Sequence, residues 1–398
     1  MWLARDAHVA AASFVANAKE TAEYLLRRVP GVRPLIDPDV TDEDTGHRYP
    51  AELTLHLAQI KREFIDQVYG TDDEAEKLLM WDSKIAQHLD ERNLQYFFTT
   101  VLTKTAKSEI IQELSVPGAE ADHARFVSVA QPHTGDFLLT IPKDKSSELN
   151  TLEFANALRL RIGCDIPNMP RNCNCGRRPA LDKKGVHVTS CAKGGHLILN
   201  HNAVQRDLQV LATSAGFPAS ALNKDVLLHN NVEPDVNKKG DLLIAGMGDP
   251  ATGRALLIDV TITHPACPSV CAATIANAKA SIQRAETRKN NKYLALAANN
   301  DITFTPMALE CYGAFSDDFI RIVNRLCLAR AEILEIDETI VQQYWYRRLS
   351  CTIQRGNSRA LSRRCLDITQ SISLQHDAYY DDAIDLEYIN VDTMPSYR

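Results

Sequence analysis

The sequence predicts an α/β core set between two mostly α-helical flanks, and three observations carry that reading. The strings DLLIAG (241–246) and RALLIDVTITH (254–264) are rich in aliphatic and β-branched residues and flank a Gly/Pro/Asp-rich turn, which is the pattern of a strand pair. A helical stretch from about 268 to 298 follows, then a further strand at Ile302–Glu310. On the N-terminal side, Leu53, Leu57, Ile60, Phe64 and Val68 recur at the spacing of one helical face.

Taken in order, residues 1–120 read as a helical region. The exposed loop at 37–46 precedes the helix containing Leu53, and further helices run over about 73–92 and 94–115. Pattern alone assigns this region no role. Residues 121–168 read as a linker and lead-in helix, because Pro, Gly and Ser punctuate 127–150 before a helix from Glu148 to Ile162. A cysteine-rich segment spans 169–196 and the α/β core 197–315, which opens with a helix over 197–216. Helices follow over 316–360, and the tail 361–398 is acidic and expected to be loose. The chain shows no internal repeat.

No stretch approaches the roughly 20 apolar residues that cross a bilayer, and Arg5, Asp6, His8 and Lys19 interrupt the apolar N-terminus. The expectation is a nuclear or cytoplasmic protein with no membrane partner, not a secreted one. Of ten cysteines, Cys267, Cys271, Cys311, Cys327 and Cys351 sit among apolar or helical neighbours without the spacing of a disulfide framework, which fits a reducing compartment. The net charge of −7, taken as an average, opposes a nucleic-acid partner. It hides a division: residues 155–298 carry 18 Lys and Arg against 10 Asp and Glu, the remainder 26 against 41. The basic middle, with Arg177, Arg178, Lys183, Lys184 and Arg206 as candidate contacts, is where DNA or RNA would bind.

CNCGRRPALDKKGVHVTSC (173–191) offers Cys173, Cys175, His187 and Cys191, two soft ligand pairs separated by a loop that can fold back on itself. Thiolate and imidazole donors so arranged suit a closed, structural zinc site. His196 is the alternative fourth ligand, and reduced cysteines in a surface turn are the alternative to metal.

Within LLIDVTIT, Asp259 is the only charge, and alternation puts it with Thr261 and Thr263 on one face while Ile258, Val260 and Ile262 take the other. A lone carboxylate there must be paired or metal-bound to offset its burial. Asp241 opens the preceding strand, so a hairpin brings two hard oxygen donors together as a catalytic Mg2+ site requires. On the next helix, RAETRKNNKY (284–293) sets Lys289 and Lys292 three residues apart, beside Tyr293. Lys289 suits polarising an attacking water, and Lys292 with Tyr293 suits holding a phosphate; a solvated basic face is the plainer alternative. His201 is either a core or capping histidine or a contact to phosphate and metal-bound water.

Read together, C-x-CG, G-x-H-x-x-x-C, GG, H-N, GDLLI, DVTIT and K-x-x-KY resemble the restriction-like endonuclease that accompanies the reverse transcriptase of site-specific non-LTR retrotransposons. The resemblance implies a PD-(D/E)xK nuclease core with a zinc knuckle, Thr261 standing at the usual lysine position and Lys289 and Lys292 as the displaced pair. It implies zinc on Cys173, Cys175, His187 and Cys191, Mg2+ on Asp241 and Asp259, and a motif role for His201 and Asn202. Asn200 stands where the family has arginine, and the literal Pro-Asp is Pro234-Asp235, so Asp235 is the alternative first acid. More diffuse similarity extends over about 125–360, through 124–142, 153–163 and 347–359.

The resulting expectation is an endonuclease that nicks DNA by Mg2+-assisted hydrolysis. A silent remnant binding nucleic acid through knuckle and basic middle is the alternative. The string YYDD (379–382) has no palm pattern before it, so any polymerase would be a separate reverse transcriptase partner.

Overall fold

The structure is a computed structural model that describes Thr103 and residues 107–173, 175, 181–221, 240–248 and 253–365. The helices expected over 53–68 and 73–92, the loop at 37–46, Asp235, Arg177, Arg178 and the acidic tail beyond Cys365 lie outside the described residues; residues 361–365, expected in that loose tail, continue the last helix instead. The chain divides into two units, Met1–Ser115 and Val116–Arg398. In the first, residues 107–114 are helical, the C-terminal end of the helix expected over 94–115.

The second unit is mixed α/β, with a four-stranded sheet. Its elements are α1 (Glu120–Val129), a 3-10 turn (Asp136–Leu139), α2 (Thr151–Ile162), α3 (Val186–Ser190), α4 (His196–Ser214), β1 (Ala219–Ala221), β2 (Leu242–Ile244), β3 (Leu256–Thr263), α5 (Cys271–Ala276), α6 (Ala280–Asn299), β4 (Thr303–Glu310), α7 (Asp317–Leu334) and α8 (Glu338–Cys365). The sheet order is β1-β2-β3-β4; β1/β2 and β2/β3 are antiparallel, β3/β4 parallel. The α5 and α6 helices bridge the two parallel strands, as a parallel pair requires a long crossover.

Strand alternation sorts the core. Ile258 and Val260 of β3, with Leu242 and Ile244 of β2, pack against Val204, Leu208 and Leu211 of α4, Phe319 and Ile322 of α7, and Trp345 and Leu349 of α8. Leu257, one residue out of phase, packs instead with Phe304 and with Tyr293, Leu296 and Ala297 of α6. The sheet therefore lies between α4, α7 and α8 on one face and α6 on the other, and Asp259 shares the α6 face with Leu257. No helix among the described residues is long and apolar enough to cross a membrane.

The segment read as linker and lead-in helix is packed structure. Ala124 of α1 contacts Ala266 and Cys271, and Phe137 packs with Ala157 and Cys351. The Arg161 guanidinium donates to the carbonyls of Thr134 (2.8 Å) and Val129 (3.1 Å), fastening α2 to the loop before it. Asn150 and Glu153 form a capping box at the start of α2: Glu153 N donates to Asn150 Oδ1 (2.9 Å), Asn150 N to Glu153 Oε2 (3.0 Å).

Two boundaries depart from the sequence pattern. The helix expected over 268–298 breaks at Asn277, extended at φ −145° and ψ 109°, whose Oδ1 accepts from Lys279 N (3.1 Å) and whose amide donates to Gln283 (2.9 Å). An asparagine side chain competing for backbone groups ends one helix and starts the next. The three-residue β1, Ala-Ser-Ala, carries no apolar alternation to announce it.

Candidate metal centre and acidic site

The four residues of the knuckle converge. Among the described residues, Cys173, Cys175, His187 and Cys191 form the one cluster of three or more Cys, His or carboxylate ligands placed to share a metal ion, all four donor atoms lying within 4.8 Å of one another. Cys173 Sγ is 3.8 Å from Cys191 Sγ, and Cys175 Sγ is 3.8 Å from His187 Nε2. Thiolates about 2.3 Å from a tetrahedral zinc stand about 3.8 Å apart, so the donor set fits that ion.

Local structure explains the convergence. Cys175 N–H points at Cys173 Sγ (3.4 Å), turning the CxC pair back on itself. The Asp182 carboxylate accepts from Val186 N (2.8 Å) and His187 N (2.9 Å), capping α3 and orienting the turn that bears His187. His196, the alternative ligand, turns away: it is buried, its Nε2 lies 2.9 Å from the Val188 carbonyl, and burial lowers its pKa. His187 completes the donor set. From α8, Arg364 donates to the Lys193 carbonyl (2.7 Å) and approaches Cys191 Sγ at 3.8 Å.

A second polar cluster lies at the β2/β3 edge. Leu242 pairs with Ile258 and Leu243 with Leu257, so continuing the register sets Asp241 opposite Asp259; Asp241 N donates to the Ile258 carbonyl (3.1 Å). Asp241 Oδ2 accepts from Val260 N (2.7 Å) and from His201 Nε2 (2.9 Å). Gln205, one helical turn beyond His201 on α4, donates its amide to the Asp241 carbonyl. The sequence reading missed Gln205; its i+4 spacing from His201 was the available signal.

From the opposite side, α6 supplies Lys289, which ion-pairs with Asp259, and Tyr293, whose hydroxyl hydrogen-bonds the same carboxylate. Lys292 Nζ donates to Tyr293 OH (2.5 Å) and lies 4.3 Å from its ring centre. Thr261 Oγ1, two residues from Asp259 on the same strand face, is buried without a hydrogen-bond partner among the described residues.

The electrostatics follow from this crowding. Burial, then the neighbouring Asp241 charge, raises the Asp259 pKa, while Lys289 and Tyr293 pull it down. Burial alone would lower the His201 pKa, but the hydrogen bond and charge of Asp241 outweigh it and the imidazole titrates above its ordinary value. Burial and the Asp259 charge hold the Tyr293 phenol protonated.

The sequence-predicted residues thus fall into three groups. Asp241, Asp259, Lys289, Lys292, Tyr293 and His201 come together. Asn202 Oδ1 lies 3.1 Å from His201 Nδ1, whereas Asn200 is buried at the crossing with α8, where a Cβ on Gly356 would meet it at 2.2 Å. Of the candidate nucleic-acid contacts, Lys184 is ion-paired with Asp122, Lys183 lies 3.8 Å from Asp165, and Arg206 is exposed on α4.

No protein-family model and no curated protein matches this sequence.

Proposed function

We propose that this chain is a metal-dependent DNA endonuclease, a zinc-stapled nuclease of the PD-(D/E)xK kind derived from a non-LTR retrotransposon. The observation that carries the reading is the strand register that sets Asp241 opposite Asp259 while α6 closes the same edge with Lys289 and Tyr293. The order of a helix, three antiparallel strands, a helical crossover and a parallel fourth strand is consistent with such a core.

The acid pair fits a hard divalent cation. The Asp241 charge across the strand pair raises the proton affinity of the buried Asp259, and the orphaned Thr261 hydroxyl adds an oxygen on the same face. Asp241 and Asp259 would hold Mg2+, which when bound supplies positive charge against phosphate oxygens and acidifies water. Lys289 Nζ orients the attacking water or a non-bridging oxygen, and Lys292 with Tyr293 OH holds the phosphate. His201, donating from Nε2, fixes the Asp241 carboxylate. The knuckle, with four protein donors, has a structural role. DNA is the proposed substrate and a separate reverse transcriptase the proposed partner, which implies work in the nucleus.

Supercoiled plasmid incubated with the protein and Mg2+ tests the reading. Nicking is expected, and Asp259→Ala should slow it at least about a hundredfold. No nicking by the wild-type chain, or equal nicking by the variant, overturns it. In the same assay Asp241→Ala should be inactive and Asp235→Ala active; the reverse result transfers the first-acid role to Asp235.

A further inference from the structure

The helix that closes the acidic site carries more positive charge than that site uses. Among the residues of α6, Arg284, Arg288, Lys289 and Lys292 are basic and Glu286 alone is acidic. At about 100° per residue, Arg284, Arg288 and Lys292 fall within an arc of about 80° that winds toward Lys289 and Tyr293. Arg284, Arg288 and Lys292 are exposed; Ile282, Ala285, Tyr293, Leu296 and Ala297 are buried on the other side.

Among the described residues, Arg284 and Arg288 have no acidic partner. Arg284 donates to the Ser269 carbonyl (2.8 Å), a neutral partner, and Arg288 makes no ion pair among the described residues. Glu286 points away, hydrogen-bonded to Ser316 near Asp317 and Asp318. Nor does helix stability explain the arrangement: the last turn of α6, where the dipole favours cations, holds no basic residue. By contrast, Lys184 already has an acidic partner in Asp122.

We infer that the solvent face of α6 from Arg284 through Arg288 to Lys292 is a track for the phosphodiester backbone of duplex DNA, leading it into the Asp259–Lys289 end of the helix. From Arg284 to Lys292 the helix rises about 12 Å, the axial length over which one DNA strand presents about three to four phosphates. Lys292 at the end of the stripe is the residue assigned to the phosphate at the acids. Arg284 and Arg288 therefore grip phosphates to one side of the cleaved bond and set the register of the strand. This inference rests on the endonuclease reading and adds the direction in which the substrate lies.

Its test is equilibrium binding of a short labelled DNA duplex in EDTA across a salt series. For Arg284→Gln/Arg288→Gln, the slope of log K against log salt should shrink by about 1.8, with affinity at low salt about tenfold or more weaker. Arg288→Gln alone, which breaks no side-chain hydrogen bond among the described residues, should lose about 0.9 of slope. Arg321→Gln, an exposed arginine of α7 paired with Asp318, should bind as wild type. A slope unchanged in the double variant, or lost equally in Arg321→Gln, overturns the track. Because no divalent cation is present, the outcomes separate: slope loss without wild-type nicking removes the endonuclease reading only, and wild-type nicking with an unchanged slope removes the track only.

Discussion

The knuckle and the acidic site are joined by one helix, yet they are held together by opposite means. His196 at the first turn of α4 contacts the Val188 carbonyl of the knuckle, and His201 and Gln205 further along contact Asp241. In the knuckle the donor atoms face inward on each other with no counter-charge among them, an arrangement that a central cation would satisfy. In the acidic site the protein supplies its own cations, Lys289 and the raised-pKa His201, against Asp259 and Asp241. A self-compensated cluster can exist before its ligand arrives; a cluster of mutually facing thiols depends on one.

That difference is broken most directly at the knuckle. Cys191→Ser should abolish a bound zinc equivalent and destabilise the second unit by on the order of 4–5 kcal/mol or more, the range of lost structural metals. Metal analysis of the purified protein with denaturant melts reads both. His196→Ala should keep the zinc, since its ring lies on a carbonyl outside the cluster. Wild-type protein free of zinc, or zinc lost equally with His196→Ala, would sink the assignment.

At the acidic site the corresponding break is Lys289→Met, which strands a carboxylate that is 3% exposed. Leaving a buried charge without its partner costs about 3 kcal/mol. Asp259, whose pKa burial and Asp241 already raise, then takes up a proton more readily. A raised carboxylate pKa means the folded state binds more protons, so the penalty is absent at low pH and grows as pH rises toward the folded value. Adding Asp259→Asn to Lys289→Met should recover most of the loss. Chemical denaturation that finds Lys289→Met as stable as wild type at neutral pH would show that the pair does not compensate itself.

A third buried polar group sharpens the contrast, because it has neither metal nor cation. Glu310, at the end of β4, accepts hydrogen bonds from Ser128 of α1 and Ser281 of α6 and lies 3.4 Å from the Gln131 amide. Burial pushes its pKa up from 4.5 to about 7. With the folded value above the unfolded one, stability falls as pH rises from about 4.5 to about 7, by on the order of 3 kcal/mol, and is flat beyond. Glu310→Gln should remove that slope and be the more stable form at pH 8. The same slope in variant and wild type, read by urea denaturation at pH 5 and pH 8, would refute it.

These clusters were unequally legible in the sequence. Asp259 stood out because one charge in an apolar strand breaks a period-2 pattern, and the same pattern fixed its face. Spacing put His187 ahead of His196 as the fourth ligand without excluding the latter, since both are within reach of the cysteines along the chain; the Val188 carbonyl within α3, which engages His196, decides it. Glu310 gave no sign: it ends an ordinary strand, and its partners lie 182 and 29 residues away. The packed character of 121–168 was hidden similarly, because Pro, Gly and Ser mark turns whether or not the turns are buried.

The smallest expected effect concerns what holds the knuckle against the rest of the fold. Arg364, at the end of α8, donates to the Lys193 carbonyl and stands 3.8 Å from Cys191 Sγ. Leu361, one turn earlier, packs with Val188 and Leu160, so the apolar contact survives when the guanidinium is removed. Arg364→Gln should therefore cost only about 1 kcal/mol of stability but weaken zinc by about tenfold, as loss of a partner to a ligand does. Zinc transfer to a competing chelator measures it. The acidic site, compensated from α4 and α6, should keep the proposed Mg2+-dependent nicking in this variant as long as zinc stays bound. Zinc affinity equal to wild type would reduce Arg364 to a packing residue and leave Asp182 as the polar group that orients the knuckle.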